Sequence, residues 1–281
     1  MPELPEVETV RSDLDRLVVG RTVVAPIATG RRTVRRYGEG PAALAAFTAD
    51  VSGLLFTGTR RHGKYLIVDG MRAEGTAVAL VIHLRMSGQL IHARPADRVA
   101  KHTHVVLPLD DGHQLRFVDP RTFGEMWLTA PLLPDLDHLG PDALLWAADQ
   151  RASVAALRGR RTMVKALLMD QGFVAGIGNI YSDEILHRAR VRPDRRAVEL
   201  SLPAAQRIVA ITGEVLGAAI ALRGSSLSDA QYVDLAGRPG RAAQMHLVYA
   251  RQDLACTTCG RPVSRIRFGG RSSFFCRRCQ R

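Results

Sequence analysis

Apolar residues recur at helical spacing near the start of the chain. Val7, Val10, Leu14 and Leu17 form one stripe, with Pro5 near the first turn and Glu6 and Glu8 favouring a helix N-terminus. Gly20 supplies the stop. The pattern then changes. Residues 20–130 read mostly as β structure, with short strands at 65–69, 77–84, 104–109 and 114–118 and a hairpin signal at Asp110-Asp111-Gly112. Trp127-Leu128 continues the series. Pro131, Pro134 and Pro141 mark 131–150 as a linker. Residues 151–222 read as helices, broken at 172–178 and again near Pro193. Residues 266–275 read as two short strands joined by Gly269-Gly270.

A chain of 281 residues usually makes two domains. Its formal net charge of +12 points to a polyanionic partner, nucleic acid or an acidic membrane. The stretch from Cys256 to Arg281 holds seven arginines and no acid. No continuous apolar run reaches ~18 residues, so no membrane span is expected. The N-terminus lacks a basic region followed by an apolar stretch, which predicts no secretion signal and a cytoplasmic chain.

Cys256-x2-Cys259 and Cys276-x2-Cys279 have the spacing of a structural zinc ribbon. In a reducing compartment four cysteines favour metal over disulfides. Four thiolates close a tetrahedral shell and leave no open position for catalysis. Arg271 sits beside the Gly-Gly turn, placed to contact phosphate, although composition alone would make it a solvated turn residue.

At the other end, a small second residue permits removal of Met1, which would leave Pro2 with a free secondary amine. An α-amine has a pKa near ~8, so a useful fraction is neutral at pH 7. Such an amine can attack the anomeric carbon of a sugar, and its iminium cannot lose charge by deprotonation. Glu3 stands next to it and can move protons. With Met1 retained, Pro2 is a tertiary amide and inert. An isolated Pro-Glu would read only as a helix start.

Several segments together resemble the formamidopyrimidine-DNA glycosylase (Fpg/Nei) family. They are PELPEVETV at the start, RRHGKYLI around Lys64, HLRMSGQL around Met86, KHTH at 101–104, DPRTFG at 119–124, LGPDAL at 139–144, LLMDQGFVAGIGNIYSDEIL at 167–186, and FCRRCQ at the end. They occur in order over essentially the whole chain. The resemblance implies an α+β protein: an N-terminal β-sandwich with flanking helices, a helix–two-turns–helix module and a C-terminal zinc ribbon. The expected boundaries are 1–130, a linker at 131–150, 151–240 and 241–281. It further implies one structural zinc ion, a double-stranded damaged DNA partner, a monomeric state and association with the nucleoid.

Residue roles follow from the same resemblance. Pro2 is the implied nucleophile, Glu3 the acid, Lys64 a strand lysine assisting β-elimination, and Arg271 the ribbon arginine serving δ-elimination. Asn179 is implied to hold phosphate, with His102, Arg121, Arg160 and Lys165 as further phosphate contacts. Met86, Arg121 and Phe123 resemble a triad that fills the void left by a flipped base. A thioether fills the hole, a guanidinium pairs with the orphaned base, and a phenyl ring wedges a stacking step. This triad, with Leu4 rather than Gly after Glu3, favours oxidised purines over oxidised pyrimidines. The implied activity is a bifunctional glycosylase/AP lyase. The alternatives are a pyrimidine-lesion or bulky-adduct glycosylase on the same scaffold, or a catalytically silent binder of damaged DNA.

Two departures bear on specificity. Arg85 stands where many members have Gly. Ser228 stands where many have Lys or Arg, in a loop that caps the flipped base and is about two residues longer than in some relatives.

Overall fold

The computed structural model describes residues 1–227, 232–268 and 270–281. Ser228 and Gly269 therefore lie outside the described residues. Contacts divide the chain into two compact units. The first comprises Met1–Asp137 and Leu222–Arg241, the second His138–Ala221 and Ala242–Arg281.

In the first unit, the predicted N-terminal helix is α1 (Leu4–Leu17). Its stripe of Val7, Val10 and Leu14 is buried. The Glu3 backbone N–H donates to Glu6 Oε2 at 2.8 Å, satisfying a donor at the helix start. The β region forms two four-stranded antiparallel sheets. One runs β2 (Leu55–His62), β3 (Tyr65–Met71), β4 (Ala77–His83), β8 (Glu125–Thr129). The other runs β1 (Ile27–Ala28), β6 (Thr103–Pro108), β7 (Gln114–Val118), β5 (Gln89–Ala93). Leu66, Val68, Leu80 and Ile82 of the first sheet share one core with Leu90, Val105, Leu115 and Phe117 of the second. Fully burying a side chain such as Phe117 contributes roughly 1.5–3 kcal/mol. The same core takes in the α1 stripe and Phe47 of α2 (Gly40–Val51). That helix lies within the stretch read as mostly β.

The second unit is helical up to its ribbon. It contains α3 (Ala143–Ala148), α4 (Gln150–Arg158), α5 (Val164–Met169), α6 (Asn179–Arg188) and α7 (Leu202–Ala221). α3 falls inside the stretch expected to be linker. The predicted breaks at 172–178 and Pro193 fall in the segments before and after α6. α7 is long and apolar enough to cross a membrane by length and composition. Here it packs against α3, α4 and α6, with Ile208, Val209, Val215 and Leu216 buried. Its polar interruptions at Gln206, Arg207 and Glu214 are why no continuous apolar run appears in the sequence. The ribbon pairs β9 (Ser264–Phe268) with β10 (Arg271–Phe275) in antiparallel register.

Candidate active site

Pro2 and Glu3 are both buried, directly ahead of α1. Glu6 is their organiser. One of its carboxylate oxygens accepts the Glu3 N–H, and the other accepts the Ser225 N–H at 2.6 Å. The N-terminus is thereby tied to the base of the 224–232 segment. Gly224 sits at φ +76°, and a Cβ there would meet the Glu6 side chain at 2.8 Å. Ser226 and Tyr232 are tied as well. Ser226 Oγ donates to the Tyr232 carbonyl, and the Tyr232 hydroxyl donates to the Arg223 carbonyl. Arg223 bridges Asp13 of α1 and Asp234. Glu6 was read from sequence only as a residue favouring a helix N-terminus; its remote donor, the Ser225 N–H, is a tertiary fact.

Lys64 occupies the two-residue turn Gly63-Lys64 between β2 and β3, where His62 pairs with Tyr65. It is a hairpin-turn residue rather than a strand residue, and it is 7% exposed. Arg61 Nε contacts Glu8 at 2.8 Å and its Nη1 donates to the Gly63 carbonyl, so the turn is fastened to the first turns of α1. Burial, then the charges of Arg85 and Lys64, hold the His83 imidazole well below its ordinary value. His83 is thus neutral, and its Nδ1 accepts the Arg85 N–H at 2.9 Å.

Met86, Arg121 and Phe123 lie on two turns gathered by one carboxylate. Asp119 is fully buried. It accepts the Ser87 hydroxyl at 2.5 Å, the Arg121 N–H at 3.2 Å and the Gly124 N–H at 2.7 Å. Its own N–H donates to the His102 carbonyl, and His104 Nε2 donates to its carbonyl. The interaction set therefore fixes the neighbours of Met86 together with Arg121, Phe123 and His102. All four candidate residues project at exposed positions, with Met86 and Phe123 each 37% exposed. The Arg121 guanidinium lies 5.2 Å from the Phe123 ring centroid. Gly88 and Gly124 are required here. A Cβ at either would come within 3.0 Å of the Phe117 ring or of the Leu84 carbonyl.

Arg85 has φ +52°, in the left-handed region that glycine adopts without strain. Its guanidinium offsets this by pairing with Glu125 at 2.6 Å. Glu125 also contacts Arg35 and Arg36. Burial pushes the Glu125 carboxyl up, but Arg85 and the neighbouring arginines hold it below the ordinary value.

In the second unit, Asn179 opens α6, and its Nδ2 donates to the Ser272 carbonyl at 3.0 Å. That places the helix N-terminus beside Arg271, which is exposed at the start of β10. A helix N-terminus with a neighbouring guanidinium suits a phosphate. Arg160 is exposed, 5.8 Å from the Phe173 ring centroid. Lys165 behaves differently from an exposed phosphate contact. It is fully buried, and its Nζ donates to Asp183 Oδ1 at 2.7 Å. Asp183 also accepts the Ser273 hydroxyl and the Phe274 N–H. Burial raises its carboxyl to about 6 despite Lys165. The next residue, Glu184, accepts N–H groups from Leu247, Val248 and Tyr249 and pairs with Arg188. Two consecutive acids of α6 thus anchor the ribbon.

The four cysteines are free thiols whose sulfurs all lie within 4.8 Å of one another. Cys259–Cys276 and Cys256–Cys279 are 3.4 and 3.9 Å apart. A tetrahedron with Zn–S of about 2.3 Å has edges of roughly 3.8 Å, so the set fits one zinc ion.

A β-sandwich unit with a buried Pro-Glu start and a helical unit ending in a four-cysteine ribbon are the features that the resemblance to the formamidopyrimidine-DNA glycosylase (Fpg/Nei) family implied. Three family models match in order: the formamidopyrimidine-DNA glycosylase N-terminal domain over residues 1–126, its H2TH domain over 139–231, and a zinc finger found in FPG and IleRS over 254–281. The chain is 43% identical to a formamidopyrimidine-DNA glycosylase of Nocardia farcinica, covering 100% of this chain and 98% of that one. It is 40% identical to that of Desulforamulus reducens, covering 100% and 99%. Among solved structures, Lactococcus lactis Fpg in complex with abasic-site DNA superposes with a TM-score of 0.88 at 31% identity, covering 99% of each chain. Thermus thermophilus MutM (Fpg) gives 0.85 at 37%, covering 99% and 98%. The protein belongs to the formamidopyrimidine-DNA glycosylase family of base-excision repair enzymes.

Proposed function

We propose that this enzyme removes oxidised purines, 8-oxoguanine and formamidopyrimidines, from double-stranded DNA and then nicks the strand. The observation that carries this reading is the pairing of two features of the first unit. One is the buried Pro2-Glu3 start held by Glu6; the other is the Met86, Arg121 and Phe123 set held by Asp119.

After loss of Met1, the Pro2 nitrogen attacks C1′ of the lesion nucleotide. Glu3 delivers a proton to the sugar ring oxygen, the ring opens, and the base departs. The resulting iminium draws electron density from C2′. Loss of a C2′ proton expels the 3′ phosphate, and a second elimination expels the 5′ phosphate. Lys64 assists the first elimination, and Arg271 with Asn179 holds phosphate during the second. Met86 fills the hole in the duplex while Arg121 contacts the orphaned base. His102 and Arg160 hold backbone phosphates. Affinity falls with added salt as counterions are released. A monomer is what the resemblance to the family implies. The zinc ion, when bound to its four thiolates, supplies structure alone.

A pyrimidine-lesion reading has one support of its own: a solved complex of Lactococcus lactis Fpg contains oxidised-pyrimidine DNA. Borohydride trapping separates the readings. Duplexes carrying 8-oxoguanine opposite C, an oxidised pyrimidine, or an abasic site are each incubated with protein whose intact mass shows Met1 absent. A covalent adduct mapped to Pro2 on the first and third is expected, and Pro2→Gly should keep only a remnant. Preferential trapping on the pyrimidine duplex would replace the purine reading. Tight binding with no adduct on any duplex would leave only a DNA-binding role.

A further inference from the structure

The sandwich contains a second cluster of metal-ligating side chains, far in sequence from the cysteines. His92, Asp111 and His113 each present a ligand atom, and the three atoms all lie within 4.8 Å of one another. The fold brings them together by register. Ala93 of β5 faces Gln114 of β7, so His92 and His113 are diagonal neighbours at the end of that strand pair. Asp111 comes from the β6–β7 hairpin, where Gly112 at φ +84° makes the turn.

The polar accounting of this cluster is incomplete. His92 Nε2 and His113 Nδ1 are buried atoms with no hydrogen-bond partner. The two rings stack at 4.6 Å with planes 21° apart, so two imidazoles share one small space. Asp111 Oδ1 accepts the His113 N–H at 2.9 Å, which fixes the carboxylate. Its Oδ2 lies 3.3 Å from His113 Nδ1, without hydrogen-bond alignment, and 3.3 Å from Arg21 Nε. A buried ring nitrogen without a hydrogen-bond partner, as at His92 Nε2, is uncommon and calls for an explanation.

We propose that His92, Asp111 and His113 form a site for a divalent transition-metal ion. Two imidazoles and a carboxylate are borderline donors suited to zinc, nickel or copper, the strong end of the Irving–Williams order, rather than to magnesium or calcium, which take oxygen ligands. Ligand distances near 2.0–2.2 Å require the three donors to draw together slightly by side-chain rotation. Asp111 then exchanges its contact with Arg21 for the ion. Three protein ligands leave further positions to water. The ion would clamp β5 to the β6–β7 hairpin. It would also lie beside the 232–241 segment, because the His92 N–H donates to the Leu235 carbonyl. This site rests on nothing in the proposed reaction.

The test uses the full chain with its cysteine site already loaded with zinc. Nickel ions are titrated calorimetrically, and bound metal is counted by elemental analysis after dialysis. The wild type should retain an equivalent of nickel beyond the zinc, and its thermal midpoint should rise with nickel concentration, as linkage requires. His113→Gln and His92→Gln should each weaken nickel binding at least tenfold and abolish the thermal shift; Asp111→Asn should weaken it less. Melting without added metal checks that each variant folds. A wild type that holds zinc and no nickel overturns the proposal, as does a folded His113→Gln that binds nickel as tightly as the wild type.

Discussion

Asp119 and Asp183 are both buried carboxylates that gather residues from distant parts of one unit, yet they are satisfied in opposite ways. Asp119 takes a hydroxyl and two backbone N–H groups, all neutral. Asp183 takes a buried ammonium along with its hydroxyl and N–H. The first arrangement fixes two turns whose tips are exposed. The second fixes a helix against a ribbon, and nothing at its centre reaches solvent. Neutral donors let a carboxylate shape a surface without placing another charge beside it, whereas a buried ion pair serves internal docking. Each side of this contrast can be tested.

The largest effect is expected at the ion pair. Lys165→Met leaves a buried carboxylate without its cation, a change that typically costs about 3–5 kcal/mol. Denaturant unfolding should show it, and an unchanged midpoint would mean that Asp183 finds another partner. The loss should shrink as pH falls from 7 towards 5. Removing Lys165 removes the influence that lowers the Asp183 carboxyl, so its pKa rises further and the protonated acid, cheaper to bury, takes over.

Asp119→Ala comes next. It strands the Ser87 hydroxyl and the Gly124 N–H, at a cost of about 1–3 kcal/mol. Its effect on repair should exceed its effect on folding, because the Met86 and Arg121–Phe123 turns lose their common anchor. Single-turnover excision and thermal melting measured side by side decide this. Loss of stability with full excision would remove Asp119 from any positioning role.

A smaller effect is carried by pH in the wild type. The folded Asp183 carboxyl is raised to about 6, against an ordinary value near 3.9 when unfolded. Between those values the folded state holds a proton that the unfolded state has released. This group therefore adds stability as pH falls through 6 towards 4, and that contribution is lost as pH rises through 6. Asp183→Asn should flatten that part of the stability profile; an identical slope would assign it to other groups.

The smallest change is expected for Arg85→Gly. Glycine relieves a left-handed backbone worth about 1–3 kcal/mol in other settings. The lost pair with Glu125 is half-exposed on the arginine side and worth about 0–1 kcal/mol. Glycine's extra freedom in the unfolded chain, about 0.5–1 kcal/mol, takes back part of the difference, so melting should stay unchanged or rise slightly. A large drop would show that Arg85 has a further partner.

Legibility in the sequence followed the range of the interactions. The α1 stripe, the strands at 65–69, 77–84, 104–109 and 114–118 and the cysteine knuckles are local patterns, and each appears within a residue or two of where its spacing places it, whereas β5 (Gln89–Ala93) was not read as a strand. α2 was hidden because its Ala-rich run lies between glycines within a stretch dominated by strand signals. β2 was hidden because Gly58 and the shift between Phe56 and Gly58 break its alternation. The resemblance pointed to Met86, Arg121 and Phe123 but not to what holds them, since Ser87 and Asp119 are 32 residues apart. Lys165, Asp183 and Glu184 illustrate the converse. Charges on helices read as solvated faces, and only packing reveals that these three are buried.

The 222–241 segment has a consequence for how the protein is made. The first unit consists of Met1–Asp137 and a strip that emerges from the ribosome only after the helices of the second unit. Until then Glu6 lacks the Ser225 donor, and Asp13 lacks Arg223. The nascent sandwich must wait, incomplete at its N-terminal end, while 84 residues of another unit are synthesised. Domains generally fold as units during synthesis. Here the N-terminal unit becomes whole only late in translation, so a truncated or stalled chain would carry an unfinished Pro2 end rather than a prematurely active one.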